Sequence, residues 1–278
     1  KITSGVLSGR QSGKLQMDVP ISGGNSGGPL VYKNKVIGIC ASSLVGLKAQ
    51  NINFAIPIEL FHIIKDQLLK NGYVRSSYLG IIYNTSTCDL LSLVTKKIDK
   101  CRNGIYIIEC FENSPMYKAG IRKNTILTKI NDISIDNKGQ LFDKKINQIL
   151  TLSEYQDYIK IGSKVKVEFI KDFKKYVNTF IYKPFYYTIR QKFPLYEKID
   201  FEVMEGLVFM DLCLNHINIY PTIALRFQDF SNRMKNKVII SGILPGSYFS
   251  VNNLIQSGML IKKINDIEVN TIHELRRV

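Results

Sequence analysis

Gly24-Asn25-Ser26-Gly27-Gly28-Pro29 is a glycine-rich loop built around one serine, with Asp18 upstream and the apolar runs Leu30-Val31 and Val36-Ile37-Gly38-Ile39 downstream. A serine that acts as a nucleophile must keep its Oγ exposed while neighbouring backbone N–H groups converge on the oxyanion that forms, and glycine adopts the required backbone at least cost. Ser26 is therefore the candidate nucleophile. The segment Gly24-Asn25-Ser26 is the candidate oxyanion hole, with the N–H groups of Gly24 and Ser26 as donors. The same six letters also fit an ordinary glycine-rich hairpin loop, because Asn and Gly are common turn formers.

The context supplies more. The chain reads Ile2-Thr3-Ser4-Gly5-Val6-Leu7-Ser8, then Gln16-Met17-Asp18-Val19-Pro20-Ile21, then the serine loop, then Val36-Ile37-Gly38-Ile39, and finally Asn51-Ile52-Asn53-Phe54-Ala55-Ile56-Pro57. This ordered series resembles the C-terminal half of an HtrA/Deg serine protease domain over about the first sixty residues. Two positions depart from the family pattern: Ser22-Gly23 stands where Asn-Pro is usual, and Asn53 stands where Gly is usual. The resemblance implies that Ile39, Cys40, Ala41 and Ser42 pair with the substrate backbone. It also implies that the loop from Ser43 to Phe54 shapes the specificity pocket, and that Asp18 has a structural or pocket-shaping role.

A serine hydroxyl needs a base, usually a histidine oriented by a carboxylate. The three histidines are His62, His216 and His273, and all follow Ser26. None has the setting of a catalytic base. His62 falls on a helix between Pro57 and Gly72, His216 in an irregular stretch, and His273 near the last residue. We expect a fragment that begins inside the second β-barrel, with the first barrel and the catalytic His and Asp upstream, and hence no activity from these residues alone.

At 278 residues and 45% apolar content the chain is long enough for two or three packed domains. No run approaches the roughly 18 to 20 apolar residues of a membrane span. Cys40, Cys88, Cys101, Cys110 and Cys213 are odd in number and lack Cys-x-x-Cys spacing. That pattern predicts free thiols in a reducing intracellular compartment (cytoplasm, nucleus or organelle) and no zinc site. No metal or organic cofactor is implied. The net charge of +15 comes from lysine spread along the chain with abundant Ile and Asn. Its aromatics do not interleave with basic clusters as a nucleic-acid platform requires, so a solvated surface is the reading and nucleic acid is not the expected partner.

Beyond the serine loop, Ile58, Phe61, Ile64 and Leu68 recur at helical spacing between Pro57 and the stop signal Asn71-Gly72. A second module opens with Tyr78-Leu79-Gly80-Ile81 and continues with Gly104-Ile105-Tyr106-Ile107-Ile108, then Ser114-Pro115-Met116-Tyr117-Lys118-Ala119-Gly120-Ile121, then Ile126-Leu127-Thr128-Lys129-Ile130-Asn131-Asp132. This order resembles a PDZ domain of the HtrA type over 78–183. Leu152 to Ile159 would be its groove helix, and Tyr78, Leu79, Gly80 and Ile81 the loop that receives a C-terminal carboxylate. Ile126 to Ile133 and Leu260 to Ile267 share the ending Lys-Ile-Asn-Asp-Ile, an internal repeat that places a second, truncated PDZ-like domain at 205–278. That copy shows no clear Leu-Gly carboxylate loop. The Gly206-Leu207-Val208-Phe209 and Val238-Ile239-Ile240-Ser241 pattern resembles the eukaryotic Deg branch.

The expected architecture is mainly β with α+β modules. It comprises part of a trypsin-like (chymotrypsin-type) barrel at 1–77, the first PDZ domain, a connector at 184–204 and the divergent second PDZ domain. The resemblance implies an ATP-independent serine endopeptidase of protein quality control, forming an acyl-enzyme on Ser26. Its partners would be unfolded or peptide substrates and protein C-termini at the first PDZ domain, and the intact protein would be a homo-oligomer. The rival reading is a noncatalytic, chaperone-like PDZ protein with a relic protease fold.

Overall fold

The computed structural model describes residues 2–11, 13–22, 24–43, 52–87, 91 and 103–278. They are mostly β-sheet and divide into two compact units, Lys1–Phe185 and Tyr186–Val278. The reading of residues 44–51 as part of the specificity loop, and the cysteines Cys88 and Cys101, lie outside the described residues.

The first unit opens with an antiparallel sheet of β1 (Leu7–Gln11), β2 (Lys14–Met17), β3 (Pro29–Tyr32), β4 (Lys35–Ser43) and β5 (Asn53–Pro57), in the order β1-β2-β5-β4-β3. Alternation puts Leu15, Met17 and Ala55 inside, where they meet Val19, Leu30, Ile37 and Cys40. Leu7, Val31, Tyr32, Val36 and Ile56 remain exposed. Asp18 accepts the Val6 N–H at 2.5 Å, and its own N–H donates to the Val6 carbonyl at 3.1 Å, so it anchors the lead into β1.

Helix α1 (Ile58–Asn71) starts after Pro57, carries Glu59 in its first turn and Lys70 in its last, and ends on Gly72 at φ 77°, whose N–H returns to Leu68 O. Helical spacing marks Ile58, Phe61, Ile64 and Leu68. The structure instead turns Leu60, Ile63, Ile64 and Gln67 toward a cleft of about 330 Å³ shared with Gln156, Asp157, Ile159 and Ile161. Apolar residues surround this helix, so spacing alone could not choose the inner face.

The rest of the first unit contains β6 (Ile81–Asn84), β7 (Ile105–Cys110), α2 (Pro115–Lys118), β8 (Ile126–Ile130), β9 (Ile133–Ser134), β10 (Gln140–Asp143), β11 (Gln148–Thr151), α3 (Leu152–Tyr155), β12 (Lys164–Lys171) and β13 (Lys174–Ile181). Its main sheet runs β13-β12-β8-β7-β6, with β9 paired to β8 and β6 at the edge. Ile105, Ile107, Met116, Ile121, Leu127, Ile130, Val165 and Val167, all fully buried, fill the space between sheet and helices.

The second unit holds β14 (Phe201–Met204), β15 (Leu207–Asp211), α4 (Leu214–Ile219), α5 (Pro221–Ala224), β16 (Val238–Ile243), α6 (Tyr248–Asn252), β17 (Leu260–Ile261), β18 (Lys263–Ile264), β19 (Ile267–Glu268) and α7 (Ile272–Leu275). Its sheet runs β14-β15-β16-β17. The strand β14 falls inside the stretch read as connector. His216, read as lying in an irregular stretch, sits on α4, and its Nδ1 accepts the Cys213 N–H at 3.2 Å. A histidine in this capping role has no simple sequence signature.

The repeated Asn-Asp folds alike in both copies. Asn131-Asp132 (φ 48° and 64°) and Asn265-Asp266 (φ 49° and 62°) each form a two-residue turn, joining β8 to β9 and β18 to β19. Positive φ at both central positions matches the right-handed strand twist, and Asn and Asp tolerate it better than most residues.

Candidate functional site

The serine loop connects β2 to β3 and is tied to β4. The Gly27 N–H donates to Cys40 O at 2.7 Å and the Cys40 N–H donates to Gly28 O at 2.9 Å. Inside the loop, the Asn25 N–H donates to Ser22 O at 3.0 Å and the Gly28 N–H to Asn25 O at 3.0 Å. Asn25 is thus committed within the turn, while no bond is drawn from the N–H of Gly24 or Ser26 among the described residues. Gly24 and Gly27 sit at φ 97° and 83°, and a Cβ on Gly28 would come within 2.9 Å of Asn25 O, so each glycine answers a backbone demand. Ser26 itself is exposed.

The pairing of β4 decides which of its residues retain a free edge. Ile39 pairs with both Pro29 and Ile56, and Cys40 bonds to the serine loop on one side while pairing with Ala55 on the other. Beyond it, Ala41 sits at an irregularity in the pairing, and Ser42 and Ser43 pair with β5 alone among the described residues. Phe54 pairs with Gln16 and Ser42 and is buried. Burial pushes the Cys40 thiol above its usual pKa, partly offset by a backbone hydrogen bond, so it stays protonated beside the loop.

No histidine is hydrogen-bonded to Ser26 among the described residues. His62 is exposed on α1, and His216 and His273 belong to the second unit. The Sγ of Cys213 lies 3.3 Å from His216 Nδ1, the spacing of a nucleophile and its base, yet the pair is buried. Burial raises the thiol pKa and lowers that of the imidazole, so both favour their neutral forms, and Nδ1 already serves as an acceptor. These two residues cap a helix.

The Tyr78 to Ile81 loop lies before the sheet-edge strand β6. Gly80 has φ 78°, and a Cβ there would fall 2.1 Å from the side chain of the buried Ser114. The Gly80 carbonyl accepts from Phe111 N–H at 2.9 Å, and the Leu79 carbonyl from Met116 N–H at 3.3 Å. The Leu79 side chain is spent in the core, and Ile81 packs against that core from a partly buried position. Two amides are occupied: Tyr78 N–H donates to Phe185 O at 3.1 Å and Leu79 N–H to Gln156 Oε1 at 3.3 Å. Tyr83 on β6 and Ser153 on α3 place their hydroxyls 3.5 Å apart. No local signal marks Gln156, because its partner lies 77 positions away.

Serine protease Do-like HtrB of Bacillus subtilis is 32% identical over 168 residues, 56% of this chain and 33% of that protein. A probable periplasmic DegP-like serine endoprotease of Rickettsia prowazekii is 33% identical over 159 residues, 55% of this chain and 30% of its own length. Over this stretch the chain is similar to serine proteases of the HtrA/Deg type. The mitochondrial serine protease HTRA2 of Drosophila simulans is a further relative, 28% identical over 177 residues, 54% of this chain and 41% of its own. The chain thus spans roughly a third of the length of the first HtrA relatives it matches. No family model matches. Among solved structures, the HtrA-type protease AlgW with a decapeptide aligns over 64% of this chain and 54% of its own, at 22% identity and a TM-score of 0.46. The serine endoprotease of Yersinia pestis aligns over 66% and 57%, at 21% identity and a TM-score of 0.41. Among the described residues, no helix is long and apolar enough to cross a membrane.

Proposed function

We propose that Ser26 is the nucleophile of an ATP-independent HtrA-type endopeptidase that cleaves unfolded or exposed protein segments through an acyl-enzyme. The observation that carries this is the tether of the loop to β4 through Gly27, Gly28 and Cys40, which leaves the Ser26 hydroxyl exposed and the Gly24 and Ser26 amides uncommitted. Those amides are the oxyanion donors, and the edge from Ala41 to Ser43 takes the substrate backbone. Such donors act best when fixed beforehand, because they need no reorganisation as charge develops.

The base and its orienting acid come, in this reading, from outside these residues. Residues 78–183 act as a PDZ domain, with β6 as the edge to which an extended peptide adds and the Tyr78 to Ile81 loop as the end that meets its C-terminus. The intact protein is a homo-oligomer, working in a reducing compartment where its thiols stay free.

Residues 1–278 alone should neither cleave casein nor react rapidly with a serine-directed fluorophosphonate, because an unassisted serine hydroxyl is a weak nucleophile. Rapid labelling that disappears in Ser26→Ala would place a base within these residues. In the intact protein, Ser26→Ala should abolish turnover and spare substrate binding. Undiminished turnover in that variant would remove Ser26 from the chemistry and leave the chaperone-like alternative.

A further inference from the structure

The two repeats match element by element around their grooves. In the first, Gly80 precedes β6, its carbonyl accepts from Phe111 N–H at 2.9 Å, and its Cβ would strike Ser114, the cap of α2. In the second, Gly206 (φ 81°) precedes β15, its carbonyl accepts from Leu244 N–H at 2.8 Å, and its Cβ would fall 2.3 Å from the side chain of Ser247, the cap of α6. The helix beside each groove is capped by a threonine, Thr151 for α3 and Thr271 for α7, and reaches its C-cap at Gln156 and Arg276 respectively. By this correspondence β15 is the counterpart of β6, and Arg276 the counterpart of Gln156.

The edges differ. The first repeat's sheet ends at β6, whereas β14 lies on the corresponding edge of β15, with Phe201, Glu202, Val203 and Met204 opposite Met210, Phe209, Val208 and Leu207. A peptide whose C-terminus sits at the loop preceding a strand must run antiparallel to that strand. β14 has this polarity, with Met204 at the glycine end. Arg276 holds it from the helix side: Nε to Glu202 Oε2 at 2.7 Å, both terminal nitrogens to the Asp200 carboxylate at 2.7 and 2.8 Å, and Nη2 to Phe201 O at 2.9 Å. These are charge-assisted bonds in a bidentate arrangement that a lysine could not reproduce. Hydrogen bonding to Arg276 accordingly holds the Asp200 carboxyl below its usual range.

We propose that β14 is a built-in ligand of the second repeat's groove, clasped by Arg276, and that it closes this groove to peptide C-termini supplied from other proteins. The inference rests on the PDZ-like reading of the repeats proposed above. It also names the chemistry the groove accepts: an extended segment with acidic side chains at alternate positions, as at Asp200 and Glu202. The covalent link through the Glu205-Gly206 turn gives β14 a high effective concentration, so a free peptide of the same sequence cannot compete.

The test uses the whole 278-residue chain. Amide hydrogen exchange should quicken about ten-fold or more across 201–210 in Arg276→Ala and stay unchanged in the first repeat, the signature of a local opening. Unchanged exchange would overturn the clasp. The free-acid hexapeptide Ile-Asp-Phe-Glu-Val-Met, matching residues 199–204, is then titrated while β15 and α7 amides are followed by NMR. The wild-type second repeat should not respond. A variant combining Met204→Pro with Arg276→Ala, which strips β14 of a ladder N–H opposite Leu207 and of its clasp, should respond. Arg276→Glu, which repels both acids, provides the same opening should the proline variant not fold. A wild-type response equal to that of the opened variant, or a folded opened variant that takes no peptide, would overturn the proposal. Separately, failure of the first repeat to bind any free-acid peptide would sink the PDZ-like reading of that module, while the exchange experiment still judges the clasp.

Discussion

Replacing Gln156 by alanine should tighten the first repeat's grip on peptides with a free C-terminus. Its side-chain oxygen accepts the Leu79 N–H, a donor of the loop proposed to receive a carboxylate, so a peptide terminus must first displace it. The bond is neutral, 3.3 Å long and partly buried, which puts its net value at about 0.5 to 1 kcal/mol. A latch of that strength keeps the loop closed about two to five times as often as open. The apparent affinity of any ligand that needs the open loop is therefore reduced about three- to six-fold. Gln156→Ala should recover that factor for free-acid peptides, measured by calorimetry on the whole chain. Amidated peptides, which lack the charged terminus, should gain nothing. Gln156→Glu should weaken free-acid binding instead, and more so at low salt, because it sets a second negative charge beside the incoming one. Weaker or unchanged binding of free-acid peptides by Gln156→Ala would refute the latch and make Gln156 part of the receiving site.

Other outcomes follow from packing and charge. Gly80→Ala should destabilise the first unit by about 2 to 5 kcal/mol, combining a left-handed backbone with a Cβ driven into buried Ser114, seen as a lower denaturant midpoint with unchanged slope; a change under about 0.5 kcal/mol would show that the backbone relaxes freely. Glu168 lies between Lys175 Nζ at 2.9 Å and Lys129 Nζ at 3.5 Å; burial works to raise its pKa, but the Lys175 hydrogen bond and both lysine charges outweigh it and hold the carboxylate below its usual range. Its stabilisation is complete above the unfolded carboxylate value of about 4.3 and is lost as pH falls through the lower folded value, so Glu168→Gln should flatten the acid side of the stability profile, and parallel profiles would contradict this. His216 is held neutral by burial, so its contribution is complete above the unfolded histidine value of about 6.5 and declines as pH falls toward the lower folded value; His216→Gln should remove that slope from the second unit's exchange protection, and an unaltered slope would place the effect elsewhere.

The features legible in the sequence are those whose physics is local. Gly27 at φ 83°, the threonine and serine caps of the short helices, Pro57 and Gly72 bracketing α1, and the Asn-Asp turns each answer a demand made within a few residues, so their letters announce them. The resemblance to HtrA-type proteases and the mainly β architecture are readable for the same reason, as an ordered series of such signals. What stayed hidden depends on distant partners. The inner face of α1 is chosen by Ile159 and Ile161, nearly a hundred residues on. The edge of β4 that remains available is set by where β3 ends against it, and that moves the free stretch past Cys40 to Ala41. The two grooves make the point most sharply. Their loops look unlike in sequence, Leu79-Gly80 against Glu205-Gly206, yet both glycines close onto a buried or half-buried serine in the same way. What separates the repeats, on the proposed reading, is the residue at the C-cap of the threonine-capped helix and what it reaches. A neutral glutamine making one long bond can be displaced by a carboxylate, because a charge-assisted bond to the same N–H is roughly twice as strong. An arginine making four bonds to a strand already joined to the sheet offers an incoming peptide no such exchange. On the proposed reading, the same scaffold gives one groove that a terminus can open and one that it cannot, and the difference rests on contacts across 77 and about 75 residues of chain rather than on any motif.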